Sequence, residues 1–185
     1  EDTWLPISRS PLSARSKAAA VWTSTTIMVL GGHGVNNQSM SDYAFYDPTR
    51  DQWSGAFSIP NCSGKLEAFV VGGFVLVISE TGWCRYELAN GNWSSIPIRP
   101  GGRLMFAPGD GVTVSNYAEF LVFGGSSNSS DGVLDAYEPK LNRWRSPLSN
   151  GPSDFRFQSN GIWMGCRLFL WSDDNARQSG WLFGP

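Results

Sequence analysis

The side chains able to do chemistry in this chain are few and far apart. There is one histidine, His33, directly after Gly31-Gly32, and there are three cysteines, Cys62, Cys84 and Cys166. A single imidazole cannot build the multi-histidine sites usual for zinc or copper. A Ser-His-Asp relay would have to use His33, and no G-x-S-x-G turn presents a serine to it. A lone loop histidine ordinarily serves the turn or the surface, and ligand binding is the sharper alternative. The cysteines form no CxxC pair and no metal-ligand spacing. They read either as three part-buried free thiols or as one disulfide with one thiol left over. Cys84 adjoins Arg85, which would favour a thiolate, yet a cysteine on a strand is more often buried and inert. Asp173-Asp174-Asn175 could offer oxygens to Ca²⁺ but lacks EF-hand spacing. Asp110 lies in an expected loop, where aspartate normally serves a turn or cap. No metal site and no cofactor are expected.

Four cations, Arg15, Lys65, Arg103 and Arg156, recur at similar phases near the starts of repeating units described below. A ring of such charges could hold an anionic sugar or a carboxylate; each is equally suited to a solvated or hydrogen-bonded strand end. With His33 they are the candidate ligand-binding residues, and no catalytic residue is assigned. Net charge is −2 and neither sign clusters, so no basic track exists to follow a nucleic-acid backbone. No apolar stretch approaches the 18 residues needed to span a bilayer. The start, Glu1-Asp2-Thr3-Trp4, is unlike a signal peptide, although a processed signal is compatible with it. Sequons at Asn37, Asn61, Asn92 and Asn128 favour an extracellular or cell-surface protein, with a cytoplasmic one still open.

The elements that must position these residues follow from composition and periodicity. Charged residues make up only 16% of the 185, while glycine (21) and tryptophan (9) are abundant. That combination predicts short strands joined by tight turns. No segment keeps apolar residues at helical spacing over three turns, so an all-β fold is expected. Tryptophans followed by a short apolar and proline segment recur at Trp4, Trp53, Trp93 and Trp144, at intervals of 40 to 51 residues. Between them, an apolar strand ends in Gly31-Gly32, a polar loop follows, and Asp42 to Asp47 alternates before a turn and Trp53. The unit with Gly124-Gly125 and Trp144 repeats this order. Paired glycines permit positive φ and close backbone approach, and the tryptophans supply area for packing one unit on the next.

Tyr46-Asp47-Pro48 through Trp53, and Tyr137-Glu138-Pro139 through Trp144, each after a strand ending in Gly-Gly, resemble the Kelch repeat. The even units depart from it, with Ser79-Glu80 and Ser172-Asp173 where the glycines would stand. The resemblance implies a β-propeller of four four-stranded blades, near residues 9–60, 61–100, 101–149 and 150–185. Residues 1–8 are in phase with a fourth strand, so a closed ring with the N-terminal strand completing the last blade is expected. A half-ring paired with a second copy, or part of a larger array, is the alternative. Kelch-like copper oxidases use two histidines, which this chain cannot supply. The expected function is a non-catalytic interaction or structural module presenting its loop ends to a protein or glycan. A small propeller enzyme acting on an anionic carbohydrate, as mutarotase, isomerase or lyase at the central opening, is the alternative. Self-association fits either reading.

Overall fold

The structure is a computed structural model that describes residues 2–100, 111–123, 133–150, 160–174 and 177–184, and the side chains of 146–150, 172–174 and 177–179 are not among those described. It is all-β, with four antiparallel sheets in chain order. The first contains β1 (Ala19–Trp22), β2 (Ile27–Leu30), β3 (Asp42–Asp47) and β4 (Gln52–Trp53), with the short β5 (Phe57–Ser58) continuing along β3. The second is β6 (Leu66–Val71), β7 (Phe74–Ser79), β8 (Trp83–Glu87) and β9 (Asn92–Ser95). The third is β10 (Val112–Ser115), β11 (Phe120–Phe123), β12 (Val133–Glu138) and β13 (Arg143–Asn150). The fourth holds β14 (Asn160–Met164), β15 (Arg167–Asp174) and β16 (Arg177–Phe183). These are four propeller blades of antiparallel strands, as the repeat pattern predicts.

In blades two and three the second strand is covered on both faces, and its sequence shows it. Phe74 to Ser79 and Phe120 to Phe123 are buried at every position. A continuous apolar run of this length is what a strand covered on both sides requires. Strand alternation then assigns side chains to two different interfaces. Val75, Val77, Cys84 and Tyr86 of blade two join Met28, Leu30 and Tyr43 of blade one. The opposite face of blade two, with Val71, Phe74, Leu76, Ile78 and Trp83, packs on Phe120, Val122 and Tyr137 of blade three. A third core joins Leu121, Phe123, Leu134 and Ala136 to Leu168 and Leu170 of blade four. Among the described residues the hydrophobic core therefore forms three inter-blade layers, because no single sheet can bury its own faces.

One local module recurs in three blades and explains the tryptophan periodicity. Tyr46–Trp53, Tyr86–Trp93 and Tyr137–Trp144 stack with ring centroids 5.0, 5.1 and 5.2 Å apart. Between each pair the turn passes through a left-handed residue: Asp51 (φ 50), Gly91 (φ 75) or Asn142 (φ 50). Aspartate, asparagine and glycine are the residues that tolerate this conformation best. In the odd blades the tyrosine hydroxyl donates to that residue's side chain, to Asp51 Oδ1 at 2.7 Å and to Asn142 Oδ1 at 2.6 Å.

Two features depart from expectation. Residues 2–8 do not form an outer strand for blade four, whose described sheet has three strands. They run beside blade one instead, where the Ser8 N–H donates to Asp51 Oδ1 at 2.8 Å and Trp53 Nε1 donates to the Ser8 carbonyl at 3.0 Å. Trp4, expected to pack like the other repeat tryptophans, is fully exposed. Of the two cysteine readings, the disulfide is the one realised. Cys62 and Cys84 are bonded and buried in the first inter-blade core, and Cys166 is free and exposed. The thiolate reading of Cys84 is thereby excluded in this state.

Candidate functional site

Up-and-down strand order sends alternate loops to opposite ends of a blade. The tight turns at 23–26, 48–51, 72–73, 88–91, 116–119 and 139–142 lie at one end. The long connections at 31–41 and 54–65 and the short one at 80–82 lie at the other, where every innermost strand also begins. At that second end a cavity of about 720 Å³ lies between the first residues of all four innermost strands. Ala19 and Ala20 of β1 and Gly161 of β14 leave the space open, while Glu67 of β6, Thr113 of β10 and Asn160 of β14 supply polar groups. Small residues on the innermost strands create this space. At Gly161 a Cβ would meet Val112 and Val114, so bulk there would disrupt the inter-blade core.

Of the candidate ligand-binding residues, Arg15, His33 and Lys65 fall at this same end, with varied surroundings. Arg15 is drawn inward: its guanidinium donates to Asp42 Oδ1 at 2.6 Å and Oδ2 at 3.1 Å, and to the Gly31 carbonyl at 3.1 Å. Its side chain is 6% exposed, so its charge is matched within blade one. Lys65 is half-buried immediately before β6 and next in sequence to the cavity-lining Leu66 and Glu67. Arg103 and Arg156 lie outside the described residues, as do Asp110, Asn128 and the second glycine pair, Gly124-Gly125.

His33 departs from the ordinary surface reading. It is 5% exposed, and its Nε2 lies 3.2 Å from Glu80 Oε2 of blade two, while Nδ1 is buried without a hydrogen-bond partner. The two glycines before it allow this placement. Gly31 (φ 62) and Gly32 (φ 94) turn the chain so that Gly32 N–H donates to the Gly64 carbonyl of the next blade's approach segment at 2.8 Å. Glu80 was not among the residues the sequence pointed to. Its signal is phase: Ser79-Glu80 ends β7 where Gly31-Gly32 ends β2. The even blade thus places a carboxylate where the odd blade has a glycine, and that carboxylate reaches back to the neighbouring histidine. Ser79 Oγ meanwhile holds the turn by accepting from the N–H groups of Thr81 and Gly82, at 3.3 and 3.2 Å.

A smaller cavity of about 430 Å³ adjoins this region, lined by Ser41, Ile59, Asn61, Cys62, Ser63 and Thr81. Asn37 and Asn61, both exposed and both with positive φ, stand on loops of the same end. Asn92 is exposed on the outer strand β9. The described residues contain no group of three or more His, Cys, Asp or Glu side chains placed to hold a metal ion. None of their helices is long and apolar enough to cross a membrane.

No protein-family model matches the sequence, and no curated protein matches it. Among solved structures, that of YjhT is similar in fold, with a TM-score of 0.60 and 13% sequence identity over 91% of this chain. The chain spans 62% of the length of that structure. A likeness at this identity is a likeness of fold.

Proposed function

We propose that the chain is a Kelch-like propeller that acts as an extracellular recognition module, binding a glycan at the end of the central channel. The single observation carrying this is the cavity of about 720 Å³ into which all four blades direct the starts of their innermost strands. Its volume falls within the range of small-ligand sites, roughly 300–1,000 Å³. Its lining combines apolar residues, among them Ala19, Ala20, Leu66, Phe69 and Val112, with a carboxylate, a hydroxyl and an amide, at Glu67, Thr113 and Asn160. Such a set accepts and donates hydrogen bonds to a polyhydroxylated ring while offering apolar surface to its C–H faces. The Cys62–Cys84 disulfide supports an oxidising compartment, in line with the exposed sequons. Kelch membership rests on the repeated Gly-Gly, Tyr and Trp order and on the Tyr–Trp stacks.

The test is binding of the intact chain to a panel of neutral and acidic oligosaccharides, followed by calorimetry on any hit. Ala20→Phe, which fills the channel from an exposed position, and Glu67→Gln should each weaken binding at least tenfold with the melting transition preserved. NMR of the bound sugar over hours should show the ligand unchanged. Conversion to another anomer, epimer or unsaturated product would establish the isomerase or lyase reading instead. Absence of binding across the panel would leave the loop ends as a protein-recognition surface and overturn the glycan assignment.

A further inference from the structure

Three sequons begin among the described residues, and exposure does not tell them apart, because Asn37, Asn61 and Asn92 are all exposed. What separates Asn61 is the residue that follows it. Its sequon is Asn61-Cys62-Ser63, and Cys62 is one half of the Cys62–Cys84 disulfide. The middle residues of the other two sequons are Gln38 and Trp93, which have no such covalent tie.

The folded state holds this sequon from both sides. Cys62 and Cys84 are 2% and 1% exposed, within the core between blades one and two. Thr81, on the same turn of blade two, engages the other two residues of the sequon. The Ser63 N–H donates to Thr81 Oγ1 at 3.0 Å, and Ser63 Oγ lies 3.4 Å from the same atom. Thr81 Oγ1 in turn reaches the Asn61 carbonyl at 3.5 Å. The backbones are close as well, since a Cβ at Gly82 would sit 3.2 Å from the Asn61 carbonyl oxygen. Asn61 itself is in the left-handed region, with φ 63. Attachment of an N-linked sugar requires the asparagine amide and the hydroxyl two residues on to be presented together. Once the disulfide closes, that hydroxyl and the backbone around it are already engaged. Before it closes the segment is free to extend, because Thr81 and Cys84 come from 18 and 22 residues further along the chain.

We propose that Asn61 is an N-glycan acceptor whose occupancy is decided by a race with closure of the Cys62–Cys84 bond. This rests on the extracellular part of the reading above and not on the ligand assigned there. In the transfer, Asn61 Nδ2 forms a bond to the anomeric carbon of an oligosaccharide carried on a polyprenyl diphosphate. The carbon–oxygen bond to the carrier breaks, the diphosphate leaves with the electron pair, and the amide loses one proton. In the competing step the two thiols give two electrons and two protons to an oxidised thiol–disulfide carrier. A chain modified first can still close the bond, because Asn61 is exposed while Cys62 beside it is buried. A chain closed first stays bare. Asn61 lines the cavity of about 430 Å³, so the sugar stands at its rim and the two forms differ in access to it.

The experiment is secretion of the intact chain from cultured mammalian cells behind a cleaved signal peptide. Occupancy at each sequon is read by mass spectrometry after enzymatic release of the sugars in heavy-oxygen water. Asn61 should be partly occupied in the wild type, and Ser63→Ala should abolish that occupancy. Cys84→Ser should raise the ratio of occupied to bare Asn61 at least threefold, with Asn37 and Asn92 unchanged. Since that variant alters the core, the wild type is also synthesised during a pulse of membrane-permeant reductant, which should raise Asn61 in the same way. Asn61 bare under every condition overturns the proposal. Full occupancy in the wild type overturns it too, because no race is then lost. An equal rise at all three sequons also overturns it, since that reports slowed folding in general. A chain retained in the cell with Cys62 and Cys84 reduced sinks the extracellular reading and this proposal with it. A secreted, disulfide-bonded chain bare at Asn61 in every case sinks this proposal alone.

Discussion

Arg99 and Asp135 form an ion pair from which solvent is fully excluded, with Nε and Nη2 of the arginine donating to Asp135 Oδ2 at 3.0 and 2.6 Å. The pair ties the segment between blades two and three to the third strand of blade three. Arg15 and Asp42 make the corresponding tie in blade one, from the segment before β1 to the first residue of β3. Both odd blades thus use an arginine from the approach segment to hold their third strand. Arg99 also lies 6.0 Å over the Trp144 ring, beside the tryptophan that bonds the same segment at Pro97.

Removing one partner of such a pair leaves a buried charge uncompensated, which costs roughly 3–5 kcal/mol. Asp135→Asn should therefore lower the urea midpoint strongly with an unchanged m-value. Replacing both partners, Arg99→Met with Asp135→Leu, should recover a large part of that loss. A single variant as stable as the wild type would show that the pair contributes nothing to holding blade three.

Gly32 and Gly73 separate two roles of glycine. Both have positive φ, at 94° and 87°. A Cβ at Gly32 would sit 2.5 Å from the Ser16 carbonyl oxygen, whereas one at Gly73 would meet nothing within 4 Å. Gly73→Ala should cost only the left-handed conformation, about 1–2 kcal/mol. Gly32→Ala adds a clash with backbone that cannot rotate away, and should cost about 3 kcal/mol or more. Equal losses in thermal unfolding would mean that Gly32 is required for conformation alone.

Tyr137 links stability to alkaline pH. Burial pushes its hydroxyl up to about 12, partly opposed by the nearby Arg85 charge. The fold holds that proton more tightly than the unfolded chain, whose tyrosines ionise near 10. Its contribution is fully present below pH 10 and is lost as pH rises from 10 toward 12. At pH 11 the loss is about 1 kcal/mol. Tyr86, pushed up to about 12 mainly by burial, acts in the same direction. Urea unfolding at pH 9 and pH 11 should show a smaller drop for Tyr137→Phe than for the wild type. An identical drop would place the alkaline sensitivity elsewhere.

Much of the blade was legible locally. The Tyr, left-handed turn residue and Trp lie within eight residues of one another, so one stretch of chain specifies the stack without distant help. The runs Phe74 to Ser79 and Phe120 to Phe123 announce strands covered on both faces. The even blades also showed their departure in sequence, at Ser79-Glu80, though its consequence did not.

The sequence by itself determined the strand order, the turn chemistry and the four-blade repeat, because these depend on side-chain period and on residues adjacent in the chain. Tertiary structure alone decided the partners. His33 meets Glu80 across 47 residues, Arg99 meets Asp135 across 36, and Cys62 meets Cys84 across 22. It also placed residues 2–8 on blade one, where the Asp51 carboxylate and the Trp53 indole hold Ser8. A phase match says which strand a segment could imitate. Which edge it joins depends on hydrogen-bonding partners met in space, here 43 and 45 residues away in the chain.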